Sequence, residues 1–185
     1  MNTIKILVIA MFSLLSCNLV KAQNVLIDKQ GVAHFFSEAP LEDIEATNDQ
    51  AVGAIDLNKG TVAVSMLIKN FHFEKSLMEE HFNENYLESE KYPKASFKGK
   101  IVNFESLDFS KSGILTAKAE GELEIHGVSQ PVESEVTFEI LENEIKAKTI
   151  FKVALEDHKI KIPKLVIKNI AEIVDVDVSF NFEKK

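Results

Sequence analysis

Apolar and polar residues alternate along most of this chain with a period of two. Leu115, Ala117, Ala119, Gly121, Leu123 and Ile125 fall on one side of a stretch whose other side is Thr116, Lys118, Glu120, Glu122 and Glu124. Side chains of an extended chain point alternately to its two faces, so this pattern predicts a half-buried strand. Val132, Ser134, Val136, Phe138 and Ile140 alternate with Glu133, Glu135, Thr137 and Glu139, and after the turn "LENEI" so do Ile145, Ala147, Thr149, Phe151 and Val153 with Lys146, Lys148, Ile150 and Lys152. Those two runs predict a hairpin whose outer faces are acidic on one strand and lysine-rich on the next. Val62 to Ile68 and Val174 to Phe182 repeat the alternation. The expected strands lie near 25–37, 51–57, 61–70, 94–104, 114–126, 132–141, 145–155 and 171–182. Sheets wet on one face and dry on the other are antiparallel. Strands of this length favour closure into an eight-stranded barrel, which removes long exposed edges. The densely charged polar face places the apolar side chains inside, the reverse of a membrane barrel.

One stretch breaks the period. Leu77, Met78, His81, Phe82 and Tyr86 recur at three and four, Ser76 and Glu79 have the spacing of a capping box, and Pro93 follows. This predicts a short amphipathic helix near 76–88 whose apolar stripe covers the mouth or flank of the barrel, as a lid or as a seal on the core. The inner face is short of bulk around Ala117, Ala119, Gly121 and Ala147. A barrel of eight strands is either filled by side chains or holds one small ligand, and its alanines either leave a lumen or make room for Phe97, Phe138 and Phe151. The periodicity leaves both open.

Residues 1–22 carry Lys5, an apolar run from Ile6 to Leu15 and the small-residue ending Val20-Lys21-Ala22. That is the layout of a secretory signal peptide, so the expected domain is 23–185 and the expected location periplasmic or secreted. "LLSC" resembles a bacterial lipobox, which offers the alternative of a lipoprotein anchored through Cys17. The apolar run is too short to be a transmembrane anchor. The leader holds two lysines and no acids, so removing it takes the net charge of -8 to -10. An acidic chain whose 21 basic residues are all lysine lacks the clustered, bidentate cations of a nucleic-acid surface. Its only cysteine is Cys17, which excludes disulfides, thiolate metal sites and a thiol nucleophile from the domain.

His34, His72, His81, His126 and His158 are scattered without metal-ligand spacing, and neither a nucleophile elbow nor a glycine-rich phosphate loop occurs. Glu79, Glu80 and His81 could form a relay only if neighbours on a helix faced one another. No catalytic residue, cofactor or metal is expected. The charged outer strands show no apolar patch for a partner, which leaves the oligomeric state unassigned.

"GELEIHGVSQPVESEVTF" and "HFNENYLESEKYPKASFKGKI" resemble the strand pair and the helix-to-strand segment of the YceI-like family, and the likeness runs from about Gln23 to Phe182. It implies a lipocalin-like barrel whose apolar lumen binds a polyisoprenoid or similar amphipathic lipid. On that reading the lumen is open. Its wall is then Phe36, Phe71, Phe73, Phe97, Leu115, Ala117, Ala119, Val136, Phe138 and Phe151, and its lid Met78, His81, Phe82 and Tyr86. Many family members carry arginines around the helix, where this chain has Met78-Glu79 and Asn83. His81, Asn83 and Asn85 offer neutral donors instead, which suit a quinone or alcohol head better than a diphosphate, with Lys75, Lys91 or Lys161 near enough to serve an anion. Two other classes are a structural or adhesive envelope protein with a filled barrel, and an enzyme acting on a lipid head through His81.

Overall fold

The computed structural model describes residues 24–163 and 170–184; the expected signal peptide and Cys17 lie outside them. Eight strands pair each with the next, antiparallel throughout: β1 (Val25–Ser37), β2 (Ile44–Asp56), β3 (Thr61–Leu67), β4 (Lys94–Ile101), β5 (Gly113–Ile125), β6 (Val128–Ile140), β7 (Glu144–Ala154) and β8 (Ile173–Glu183). β8 returns to β1 and closes the barrel. The alternation held in β5, where Glu120 lies on the polar side and Ala119 is 8% exposed. The charged faces form ion pairs across strands, Lys118 to Glu133 at 2.5 Å, Lys148 to Asp177 at 2.7 Å and Lys152 to Asp175 at 2.7 Å. Of the expected β6–β7 contacts, Lys146 meets Glu139 at 3.6 Å, while the other two β7 lysines turn to β8. All are solvent-exposed, so each contributes at most about 1 kcal/mol.

β1 does not keep one parity. Its pairing with β2 shifts register between Asp28 and Gly31 and again before Ala33. Leu26 faces in before the irregularity, and Gly31, Ala33 and Ser37 are buried after it. An inserted residue turns every later side chain to the opposite face. Phe36 therefore points outward, registered between Glu45 of β2 and Asp175 of β8, and Phe35 takes the inner position.

β2 begins seven residues before its expected start. "TNDQ" precedes the expected strand, yet Asn48 is fully buried, giving its amide N–H to the Leu67 carbonyl at 2.9 Å and accepting the Gln50 backbone N–H at 3.0 Å. Its side chain stands in for backbone and carries the strand through.

The bulk missing at Gly121 is taken up by backbone. Gly99 of β4 lies opposite it. A Cβ on Gly121 would sit 2.3 Å from the Lys98 carbonyl oxygen and 2.6 Å from the Gly99 Cα. Gly121→Ala is expected to cost about 1–3 kcal/mol, lowering the urea midpoint at unchanged slope. A midpoint equal to wild type would contradict the close approach.

The barrel has two different ends. At the lower end the 102–112 connection folds across the opening: Phe104 stacks on Phe109 at 5.5 Å, and Phe109 meets Phe138 edge-on at 5.1 Å. Asp108 holds that connection, accepting from the Ser110 backbone N–H and hydroxyl and lying 3.0 Å from Lys111, which brings its carboxyl down to about 2. At the upper end lie the 68–93 segment, the β5–β6 turn and the 155–160 turn after β7.

Candidate lipid site

Between these ends lies a cavity of about 390 Å³, within the roughly 300–1,000 Å³ typical of small-molecule sites. Its lower part is bounded by Ile55, Ile101, Phe138, Phe180 and Phe182. The Phe180 ring rests where side chains on Gly31 and Gly53 would otherwise be. Ala119, Val136, Ala147, Phe97 and Phe151 form the middle wall.

The upper cover is aromatic. Phe82 packs against Phe35 at 5.6 Å, Phe71 at 5.6 Å and Phe73 at 5.0 Å between ring centroids. The local helix explains how it gets there. α1 (Ser76–His81) is one short α-helical stretch, and Phe82–Tyr86 continues it as a π turn, closed by the Leu87 N–H on the Phe82 carbonyl at 2.9 Å. In an α-helix residues five apart point about 140° away from each other. The wider turn lets Phe82 join the aromatic cover while Leu87 packs with Ile68, Ala95 and Ile160. Inserted π turns of this kind are common at functional sites. Ser76 is not the N-cap: Lys75 holds that place without a side-chain bond, and the Glu79 carboxylate accepts the Phe73 backbone N–H at 3.2 Å. Glu79 thus ties the helix to the segment before it.

The structure brings Phe71, Phe73, Met78, His81, Phe82, Tyr86, Phe97, Ala119, Val136, Phe138 and Phe151 to the cavity. Leu115 and Ala117 do not border it. They pack into the core low on β5, where they oppose Phe138 and Val136. Phe36 is outside for the reason given above. The expected lining omitted Phe35, hidden by the β1 bulge, and Phe180 and Phe182, although alternation places these two inward in the last strand.

Polar groups on the lining are few. His81 is exposed at the rim, and Tyr86 beside it has its phenol pushed up by burial, so it remains an O–H donor at neutral pH. Glu42 accepts from Lys75 at 2.6 Å, which raises the Lys75 ammonium and bridges the β1–β2 loop to α1. Midway down, Ser134 and Thr149 share a 2.6 Å hydroxyl contact, with Thr149 donating to the Glu135 carbonyl at 2.8 Å. Asn83 and Asn85 do not border the cavity; Asn83 donates to the Glu79 carbonyl at 2.9 Å and its buried Oδ1 has no partner. Glu79 lies 3.6 Å from His72, and no hydrogen bond joins it to His81. The Glu79–Glu80–His81 relay is therefore not assembled. Among the described residues no cluster of three or more metal-ligating side chains occurs, and no helix is long and apolar enough to cross a membrane.

The YceI-like domain profile matches residues 27–182. No curated protein sequence matches significantly. Among solved structures, a polyisoprenoid binding domain from Saccharophagus degradans implicated in plant cell wall breakdown superposes with a TM-score of 0.75 at 13% identity, covering 88% of this chain and 99% of that one. BcnA of Burkholderia cenocepacia gives 0.68 at 14% identity over 82% and 95%, and the Campylobacter jejuni YCEI protein 0.57 at 17% over 74% and 81%. At such identities the likeness is one of fold.

Proposed function

The chain belongs to the YceI-like family, and from that premise we propose that it is a non-enzymatic binding protein that holds a polyisoprenoid or similar amphipathic lipid in its barrel. The observation that carries this reading is the cavity itself: a closed barrel stoppered below by stacked phenylalanines and covered above by a π turn leaves about 390 Å³ lined almost wholly by apolar side chains. The polyisoprenoid-binding domain of Saccharophagus degradans, which shares the fold, supports the same class of ligand. Burial drives such binding at about 0.8 kcal/mol per methylene, so a tail of about a dozen carbons contributes roughly 10 kcal/mol before ordering costs. No strong polar anchor is needed.

The head we assign is neutral, a quinone or an alcohol. Tyr86 offers a phenolic O–H and His81 an imidazole at the rim, whereas the nearby ammonium of Lys75 is already held by Glu42. Lipid extracted from protein purified without detergent is expected to be a neutral isoprenoid; a predominance of prenyl diphosphate would overturn the assignment. The same reading places the protein outside the cytoplasm, exported through residues 1–22. N-terminal sequencing of the mature chain would find Gln23 first, while a lipid-modified Cys17 would replace cleavage after Ala22 by lipoprotein anchoring.

A further inference from the structure

The barrel wall splays at two upper seams, which are closed in different ways. Between β2 and β3 strand pairing ends at Val52 and Ser65, but the next segment takes over: Thr47 and His72 exchange backbone hydrogen bonds of 3.1 and 2.9 Å. Between β6 and β7 pairing ends at Val136 and Thr149, although β6 extends to Val128 and β7 to Ala154. There the 155–160 turn fills the wedge, with His158 only 3% exposed. Among the described residues, its backbone bonds run to Glu172 on the β8 side and within the turn itself. It meets β6 and the β5–β6 turn through side chains: Gln130 donates to the Asp157 carbonyl at 2.8 Å, His158 Nδ1 lies 3.0 Å from the Val128 carbonyl, and His126 Nδ1 lies 3.2 Å from the His158 carbonyl. Pro131, which has no N–H to give, sits in this stretch of β6, as prolines do at strand edges.

Both margins of the seam belong to the cavity. Val132 and Ser134 on β6 and Thr149, Phe151 and Leu155 on the other side all line it. The Ser134–Thr149 contact sits where the strands part. We infer that this β6–β7 seam is a lateral portal through which an isoprenoid chain passes between the cavity and its surroundings, hinged at Val136–Thr149 and latched by Gln130, His126 and His158. At the other upper seam, opening the wall would break the Thr47–His72 backbone bonds. Opening it here breaks side-chain bonds and keeps every strand pair intact. An apolar chain then slides in sideways without unfolding the aromatic cover. The inference rests on the lipid-binding reading above.

The test is the rate at which tritiated polyprenol moves from phosphatidylcholine vesicles into the protein, measured in a Cys17→Ser chain. Gln130→Cys with Asp157→Cys, joined after folding by a short bis-maleimide that adds one thiol at each end, locks the seam, and the unlinked protein serves as its own reference for folding. Glu42→Cys with Lys75→Cys, joined the same way, locks the upper cover instead. The seam link is expected to slow uptake to a small fraction of the unlinked rate while the cover link does not. Gln130→Ala, which removes one latch bond at an accessible position, is expected to speed uptake about fivefold. Unchanged uptake in the seam-linked protein, or equal or greater slowing by the cover link, overturns the portal. No uptake by the unmodified chain overturns the lipid reading itself.

Discussion

Ala119→Trp is expected to abolish lipid binding while the lipid-free protein melts close to wild type. Ala119 is 8% exposed in the middle of β5, registered between Ile101 and Ser134, and it borders the cavity. An indole placed there enters space that the fold leaves unfilled, so it takes the ligand's volume without displacing packed neighbours. Were that region packed at interior density, the same insertion would cost about 1–3 kcal/mol or more. For a domain of this size that corresponds to a fall in Tm of roughly 2–12 °C. Both proteins must be stripped of lipid first, because bound ligand stabilises the wild type by mass action and would mimic a packing loss in the variant. Calorimetry on the stripped pair decides it: a large drop in Tm contradicts an open lumen at β5.

The opposite balance holds at the floor. Phe138 is 1% exposed, opposes Leu115 and Ala147, and supports the Phe109–Phe104 stack. Phe138→Ala removes a packed ring and loosens the lower stopper, at an expected cost of about 3–5 kcal/mol. The stripped variant is expected to melt roughly 6–20 °C below stripped wild type. The void opens into the existing cavity, so added polyprenol is expected to raise the Tm of the variant by more than it raises wild type. A Tm within a degree or two of wild type would show that the ring is not a structural floor.

The strands were legible because burial on one face imposes period two, and the resemblance to the YceI-like family turned an undecided lumen into an expected open one. What escaped were places where side chains substitute for backbone or where one residue shifts the frame. Asn48 carries β2 through a stretch ahead of the expected strand at 51–57. The β1 bulge exchanges Phe36 for Phe35, an inversion that alternation can show only when the inserted residue is known. Leu115 and Ala117 share a face with Ala119, yet lie low on β5 beside the packed floor, because alternation assigns the face of a side chain and not its depth. Apolar spacing located a helix but not its π turn, since that depends on one hydrogen bond reaching Phe82 from Leu87. The lower stopper escaped as well: β4 ends at Ile101, short of the expected 104, so Phe104 leaves the strand to stack on Phe109 in the connection.

The central claim is that the cavity holds an isoprenoid lipid, and native mass spectrometry of the protein purified without detergent measures it directly. The account predicts a population heavier than the apoprotein by one isoprenoid-sized molecule, which organic extraction removes and added polyprenol restores. A spectrum of apoprotein alone that gains no mass with polyprenol would contradict it.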